Sequence, residues 1–181
     1  VSTQSTGEFM GGGNSKKVEQ RVLILGLDNS GKTTILRAIA NEDPTTIMPT
    51  QGFNAKSLSI NGQQLICFDV GGQKHIRDYW KNYFADAKAL VWVVDSADSR
   101  RMEEVAAELS ICIDDPKLAG VPLLVMANKQ DLETSLKPNE ICDKLGLWAI
   151  KDHPFQIQGC SALTKQGIKE GFDWIVKKLG K

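Results

Sequence analysis

From position 18 onward, short apolar runs take turns with longer stretches of helical spacing. "QRVLILG", "ALVWVVD", "VPLLVMAN" and "PFQIQGC" are too short for helices and read as buried strands. "AKSLSI" and "QQLICFDV" instead alternate apolar and polar residues on either side of Asn61–Gly62, the strongest two-residue signal for a type I′ hairpin. Apolar residues recur at helical intervals in "KTTILRAIAN", which runs toward Pro44, and in "SRRMEEVAAELSICID", "PNEICDKLG" and "GIKEGFDWIVKKL". The pattern predicts six strands alternating with about five helices. That is a three-layer α/β fold whose sheet is mostly parallel with one antiparallel strand, and such sheets bind ligands at the carboxyl ends of their strands.

Nothing after residue 20 interrupts the pattern, so one domain is expected over 18–181. Positions 1–17 are polar and glycine-rich with no hydrophobic period and are expected to be disordered. The residues up to Phe9 resemble the remains of an expression tag, and "MGGGNS" fits both a myristoylation pattern and a plain linker.

Composition narrows the function classes. Apolar content of 41% and charged content of 24% exclude disordered and fibrous classes for the chain as a whole. Twenty-two basic residues balance twenty-two acidic ones, so no footprint for nucleic acid is present and no such partner is expected. Cys67, Cys112, Cys142 and Cys160 form no CxxC, which suggests reduced cytosolic thiols rather than a zinc site or disulfide framework. The apolar runs are too short to span a bilayer. His75 and His153 stand alone and read as surface or structural residues. Glu103 and Glu104 with Arg100 and Arg101 read as a solvated charged face, as do Lys177, Lys178 and Lys181.

The chemistry lies at the ends of the predicted strands. "GLDNSGKT", Gly26 to Thr33, fits GxxxxGK[ST], a P-loop in which backbone N–H groups curl around an anion at a helix N-terminus. Lys32 would reach the β- and γ-phosphates, and the Thr33 hydroxyl would ligate magnesium. Kinases, ATPases and GTPases all share this loop. In "FDVGGQ", Asp69 offers a carboxylate to the metal, Gly71 and Gly72 allow close approach to a γ-phosphate, and Gln73 offers an amide to an attacking water. "ANKQDL" decides the base: Asp131 can accept from N1–H and the exocyclic amine of guanine, a pair that adenine lacks. Asn128 reaches the other edge of the ring and the Lys129 stem lies along its face. In "CSAL", backbone N–H groups near Ser161 and Ala162 are candidates to donate to guanine O6, and in "PTQGF" Thr50 supplies a second hydroxyl for the metal.

Taken in order, GLDNSGKT, PTQGF, DVGGQ, NKQD and CSAL resemble the small GTPases, and DxGGQ with NKQD narrows the match to the ADP-ribosylation-factor-like branch. "TQGFNAKS", "YWKNYF", "VDSADSRR" and "FQIQGCSALT" are most similar to its third type, which the family implies acts in trafficking lipidated proteins toward cilia. The resemblance runs from about residue 18 to the end. It implies the small-GTPase fold, with Gly26, Leu27, Asp28, Asn29, Ser30, Gly31, Lys32 and Thr33 around the phosphates and magnesium on Thr33 and Thr50. Gly72 would sense the γ-phosphate and Gln73 would position water. Asn128, Lys129 and Asp131, with Ser161, Ala162 and Leu163, would bind guanine.

The partners implied are GTP or GDP with Mg2+, an exchange factor, an activating protein, and effectors such as lipid-binding cargo carriers. A monomer in the cytoplasm is implied, with reversible membrane association through a native N-terminus and Golgi, microtubule or ciliary association. In the family the Asn61–Gly62 hairpin shifts register with GTP and displaces an N-terminal amphipathic helix. Two departures stand out: Phe68 occupies the place of a tryptophan that usually joins the counterparts of Phe53 and Tyr83 in an effector surface, and "MGGGNSKK" has no apolar amphipathic character. No arginine reads as a built-in finger, so slow turnover is expected. A non-cycling nucleotide-binding module and a P-loop phosphotransferase are the alternatives from other classes. The complete Lys32, Thr33, Thr50, Asp69 and Gln73 set argues against the first, and NKQD is not required by the second.

Overall fold

The computed structural model describes residues 18–43, 50 and 52–180. The expectations for positions 1–17, for Pro49 and Gln51 of the "PTQGF" loop, and for Lys181 lie outside the described residues.

Six strands form one sheet in the order β2-β3-β1-β4-β5-β6: β1 Gln20–Leu25, β2 Phe53–Ile60, β3 Gln63–Val70, β4 Ala89–Asp95, β5 Leu123–Asn128 and β6 Phe155–Gly159. Every pairing is parallel except β2 with β3, which run antiparallel from Ile60↔Gln63 to Phe53↔Val70. Asn61 at φ 49° and Gly62 at φ 79° both take the positive φ that the type I′ turn requires, so the hairpin forms where the two-residue signal predicts it.

Five α-helices cover the sheet: α1 Lys32–Ile39, α2 Lys74–Arg77, α3 Met102–Ile113, α4 Pro138–Leu145 and α5 Ile168–Leu179. Alternate residues of one strand feed two separate cores, as a period of two demands. Leu23 and Leu25 of β1 join Val105 and Leu109 of α3 and Ile141 of α4, while Val22 and Ile24 join Ile35 of α1 and Phe172 and Ile175 of α5. Truncating fully buried Phe172 to alanine would cost about 3–5 kcal/mol.

Three differences from the predicted elements have local causes. Helix α1 stops at Ile39, short of the predicted Asn41, because Asn41 adopts φ 57° and turns the chain out of the helix. The first turn of the "SRRMEE" stretch is 3₁₀ over Ser99–Arg101 before α3 begins. Helix α2 and the 3₁₀ turn Trp80–Tyr83 are four residues each, too short to show a period in sequence.

Candidate functional site

The loop after β1 owes its shape to two glycines. Gly26 lies at φ 147°, and a Cβ there would stand 2.3 Å from the Val93 carbonyl oxygen; Gly31, at φ 98°, would put one 2.3 Å from Asn128 Nδ2. Behind the loop Lys32 is 6% exposed and donates to the carbonyls of Gly26 at 3.0 Å and Leu27 at 2.9 Å. Burial pushes its ammonium pKa from the ordinary 10.5 down to about 8, against the opposing pull of the Asp69 and Asp28 charges. The hydroxyl and ammonium of the loop therefore sit beside a cavity of about 310 Å³, which Asp28, Asn29, Thr50, Gly72 and Gln73 also line.

At one end of this cavity three oxygens converge. Thr33 Oγ1 donates to Asp69 Oδ2 at 2.5 Å and lies 2.8 Å from Thr50 Oγ1, which is itself 3.4 Å from the same carboxylate oxygen. Asp69 is fully buried, and desolvation raises its pKa in spite of hydrogen bonds from Thr33, Thr50 and Asn54 and the Lys32 charge. Its other oxygen, Oδ1, has no partner among the described residues. Two hydroxyls around a buried, half-satisfied carboxylate suit a small hard cation such as Mg2+, which takes oxygen ligands and returns the carboxylate to its charged form. The residues present fit the metal.

The chain after β3 is pressed against the P-loop. A Cβ on Gly72 would lie 2.4 Å from Gly26 O and 2.5 Å from the Asp28 amide nitrogen, so only glycine passes here. The Asp28 N–H donates to Gly72 O at 3.1 Å, and Gly71 N–H donates to Gly52 O at 2.8 Å. Gln73 Oε1 is buried without a partner among the described residues.

On the far side of the P-loop, at Ser30, Asn128 finishes β5 and is 2% exposed. Its Nδ2 donates to Ser30 O at 2.9 Å, and its Oδ1 accepts from Ala162 N–H at 3.0 Å. Lys129, at φ 67°, reaches back to Asn29 O at 2.7 Å and to Asp95 Oδ2 at 2.8 Å. Asp131 Oδ1 accepts from Ser161 Oγ at 2.7 Å. The Ser161 N–H itself donates to Gln166 O at 2.9 Å, so Ser161 serves this side through its hydroxyl rather than through the free N–H expected of it. Leu163 is mostly exposed at the rim. The structure thus gathers the sequence-predicted phosphate and metal residues around one cavity and ties Asn128 and Lys129 to the same P-loop through Ser30 and Asn29, with Asp131 and Ala162 bonded to their neighbours Ser161 and Asn128.

Sequence reasoning missed several supporting residues. Arg101 and Glu104 are not a solvated face: Arg101 binds Asp28 Oδ1 at 2.8 Å and Glu104 Oε2 at 3.0 Å, while Arg77, with a side chain 4% exposed, binds Glu104 at 2.7 Å and Glu108 at 3.1 Å. The hydrogen bond from Arg101, then that from Arg77, holds the Glu104 carboxyl down at about 2, and Arg101 lowers Asp28 likewise. Contact across the 49 positions between Asp28 and Arg77 carries no sequence signal. Asp95 had one, being an acid at the carboxyl end of a strand. Asn54 pairs opposite Asp69 across the β2–β3 ladder, which the hairpin register does predict. His153 is buried with its ring nitrogens 2.9 Å from Val121 O and 3.0 Å from Ile113 O, a structural role as expected.

Comparison with known proteins adds to this geometry. Residues 8–179 match the ADP-ribosylation factor family. The chain is 55% identical over 164 residues to ADP-ribosylation factor-like protein 3 of Chlamydomonas reinhardtii, spanning 91% of this chain and 93% of that protein. It is 48% identical over 165 residues to ADP-ribosylation factor-like protein 2 of Arabidopsis thaliana, spanning 91% and 89%. Among solved structures, the Arl6 BBS3 small GTPase from Trypanosoma brucei with bound nucleotide analogue GppNp superposes with a TM-score of 0.83 at 31% identity, over 90% of this chain and 98% of that one.

Proposed function

We propose, from the premise that this chain belongs to the ADP-ribosylation factor family, that its GTP-bound form engages lipid-binding carrier proteins and releases their lipidated cargo. The premise carries the coarser statement without further argument: the chain is an Arf-like small GTPase that binds GTP and GDP with Mg2+ and hydrolyses GTP.

The observation that carries the residue assignments is the convergence of Thr33, Thr50 and Asp69 beside Gly72 and the unpartnered Gln73 amide oxygen. Thr33 and Thr50 would hold the metal directly, with Asp69 behind them. Magnesium held there would supply positive charge against the negative charge of the nucleotide phosphates. Lys32 donates to the same phosphates as a point charge, and the Gly72 N–H donates to the γ-phosphate. Gln73 Oε1 accepts a proton of the attacking water and so orients it. Asp131, held by Ser161, accepts from both N–H groups of the guanine edge, and Asn128, itself held by Ser30 and the Ala162 N–H, closes the opposite side. Arg77 and Arg101 stand near the P-loop but are bound to carboxylates, so neither is available as a finger and turnover is slow until an activating protein supplies one.

Support for the cargo-release branch comes from the similarity to ADP-ribosylation factor-like protein 3. A second line is the half-exposed ring of Phe53, which packs 6.2 Å from Phe68 and 5.4 Å from Tyr83 and so retains an aromatic surface although the family tryptophan is absent. On this reading the protein works in the cytoplasm and at membranes, Golgi, microtubules or cilia. The test is the anisotropy of a fluorescent lipidated peptide bound to a lipid-binding carrier. Release by GTP-loaded protein and not by GDP-loaded protein is the expected result. Absence of release with either form, once nucleotide exchange is verified, would return the effector class to other Arf-like membrane-traffic partners.

A further inference from the structure

We infer that Trp80 and Arg77 are positioning residues: their side-chain N–H groups orient the two peptide units that flank Gly72, and this orientation sets how strongly the protein prefers a nucleotide bearing a γ-phosphate. The inference rests on the reading above in which the Gly72 N–H meets that phosphate.

In a planar trans peptide the C=O and N–H of one unit point in opposite directions, so a donor that grips the carbonyl also aims the N–H. The unit between Gly71 and Gly72 is gripped in this way. Trp80 Nε1–H donates to Gly71 O at 2.9 Å. Trp80 is 2% exposed and stands edge-on to Trp92, ring centroids 5.7 Å apart and planes at 89°, so its donor is fixed from the core side. The Gly72 N–H consequently faces away from that core, on the side where Gly72 lines the phosphate cavity with Lys32, Thr33 and Thr50.

The next unit is held from two directions. Gly72 O accepts from Arg77 Nε at 2.8 Å and from the Asp28 N–H of the P-loop at 3.1 Å, which fixes the N–H and the position of Gln73. Arg77 is in turn immobilised by Glu104, Glu108 and Asp28. A glycine without such clamps would sample many orientations of its N–H, and the phosphate would have to order it on binding. An aromatic residue needed only for packing has no use for an indole N–H, whereas this one donates to a carbonyl beside the sensing glycine.

The experiment measures affinity for GDP and for a non-hydrolysable GTP analogue, with Mg2+, in full-length wild-type, Trp80→Phe and Arg77→Lys proteins, together with thermal unfolding of each GDP-bound form. Phenylalanine keeps a ring and removes the donor; lysine keeps the charge and removes the Nε contact. The expected result is that each variant loses analogue affinity relative to GDP, about tenfold for Trp80→Phe, the equivalent of one hydrogen bond. A loss shared equally by both nucleotides would show a merely structural role and overturn the inference, as would an analogue-to-GDP ratio unchanged from wild type. If Trp80→Phe yields no folded protein, Arg77→Lys is judged by the same ratio and decides. Wild-type protein that binds GDP and ignores the analogue would overturn the underlying γ-phosphate reading, and this inference with it.

Discussion

Asn128 closes β5, a strand buried along its whole length between two parallel neighbours, whereas Thr50 and Gly52 lead into β2, the exposed edge strand of the same sheet, in which only Leu58 is buried. The two groups of candidate site residues therefore hang from one sheet but with different freedom. Each residue proposed for the base is tied to another fixed element: Asn128 to Ser30 and Ala162, Lys129 to Asn29 and Asp95, Asp131 to Ser161. At the γ-phosphate end the groups are backbone at glycines, an amide oxygen without a partner among the described residues, and two threonines, one on α1 and one ahead of β2. Choosing guanine needs a rigid frame, since an unpaired carboxylate penalises the wrong base only if it cannot move away. Reading the phosphate count combines a fixed side, the Gly71 and Gly72 carbonyls held by Trp80, Arg77 and Asp28, with an element of low local stability that a ligand can reorganise, the exposed β2 edge.

The comparison makes a sharp demand on mutations: changes at the base end must affect GTP and GDP alike, and changes at the other end must separate them or alter hydrolysis alone. The largest effect is expected for Asp131→Asn, which turns one of the two carboxylate acceptors into an N–H donor facing the N–H groups of guanine and should weaken both nucleotides by about 10⁴-fold. Equilibrium titration with GTP analogue and GDP checks this, and a change in their ratio would break the division between the two ends. Next is Gln73→Leu. It should lower hydrolysis stimulated by an activating protein by about 10²–10³-fold while leaving both affinities unchanged, as single-turnover rates and titrations would show. Undiminished stimulated hydrolysis would remove Gln73 from the reaction.

The same contrast governs what the sequence made legible. The buried strands, the hairpin at Asn61–Gly62 and the P-loop are local patterns, and each lies where its pattern predicts. The nearness of "ANKQDL" to "CSAL" was also readable, because they follow strands that the sheet brings side by side. Arg77 and Trp80 were not readable, since they act through backbone carbonyls at Gly72 and Gly71 that any sequence possesses. The misreading of Arg101 and Glu104 has a related cause: i,i+3 spacing on a helix fits a solvated pair, and only the fold brings Asp28 and Arg77 onto it.

Lys32 belongs to both ends, because the β-phosphate is present in either nucleotide, and it gives the smallest expected effect. With its pKa lowered to about 8 by burial, the ammonium loses its proton at mildly basic pH, and the neutral amine still has two N–H groups for the carbonyls of Gly26 and Leu27. Bound phosphates favour the charged form, so binding takes up a proton above pH 8, and affinity should fall by up to about tenfold per pH unit there. The sign reverses for folding of the nucleotide-free protein. Between about 8 and the unfolded value of 10.5 the unfolded chain holds the extra proton, so stability contributed by this group rises with pH. Burial also raises Cys67, Cys112 and Cys160 from 9.0 to about 12, so as pH passes about 9 the unfolded chain gives up thiol protons that the folded chain keeps, and these groups lower stability with pH where Lys32 raises it. Nucleotide titrations from pH 7 to 9.5 should therefore show affinity falling, while the Lys32 share of stability, read as the difference in denaturant unfolding between nucleotide-free wild-type and Lys32→Met proteins, should rise over the same range. Affinity that stays level across this range for both nucleotides would mean that Lys32 keeps its proton in the free protein and that the phosphate cavity is better hydrated than its burial implies.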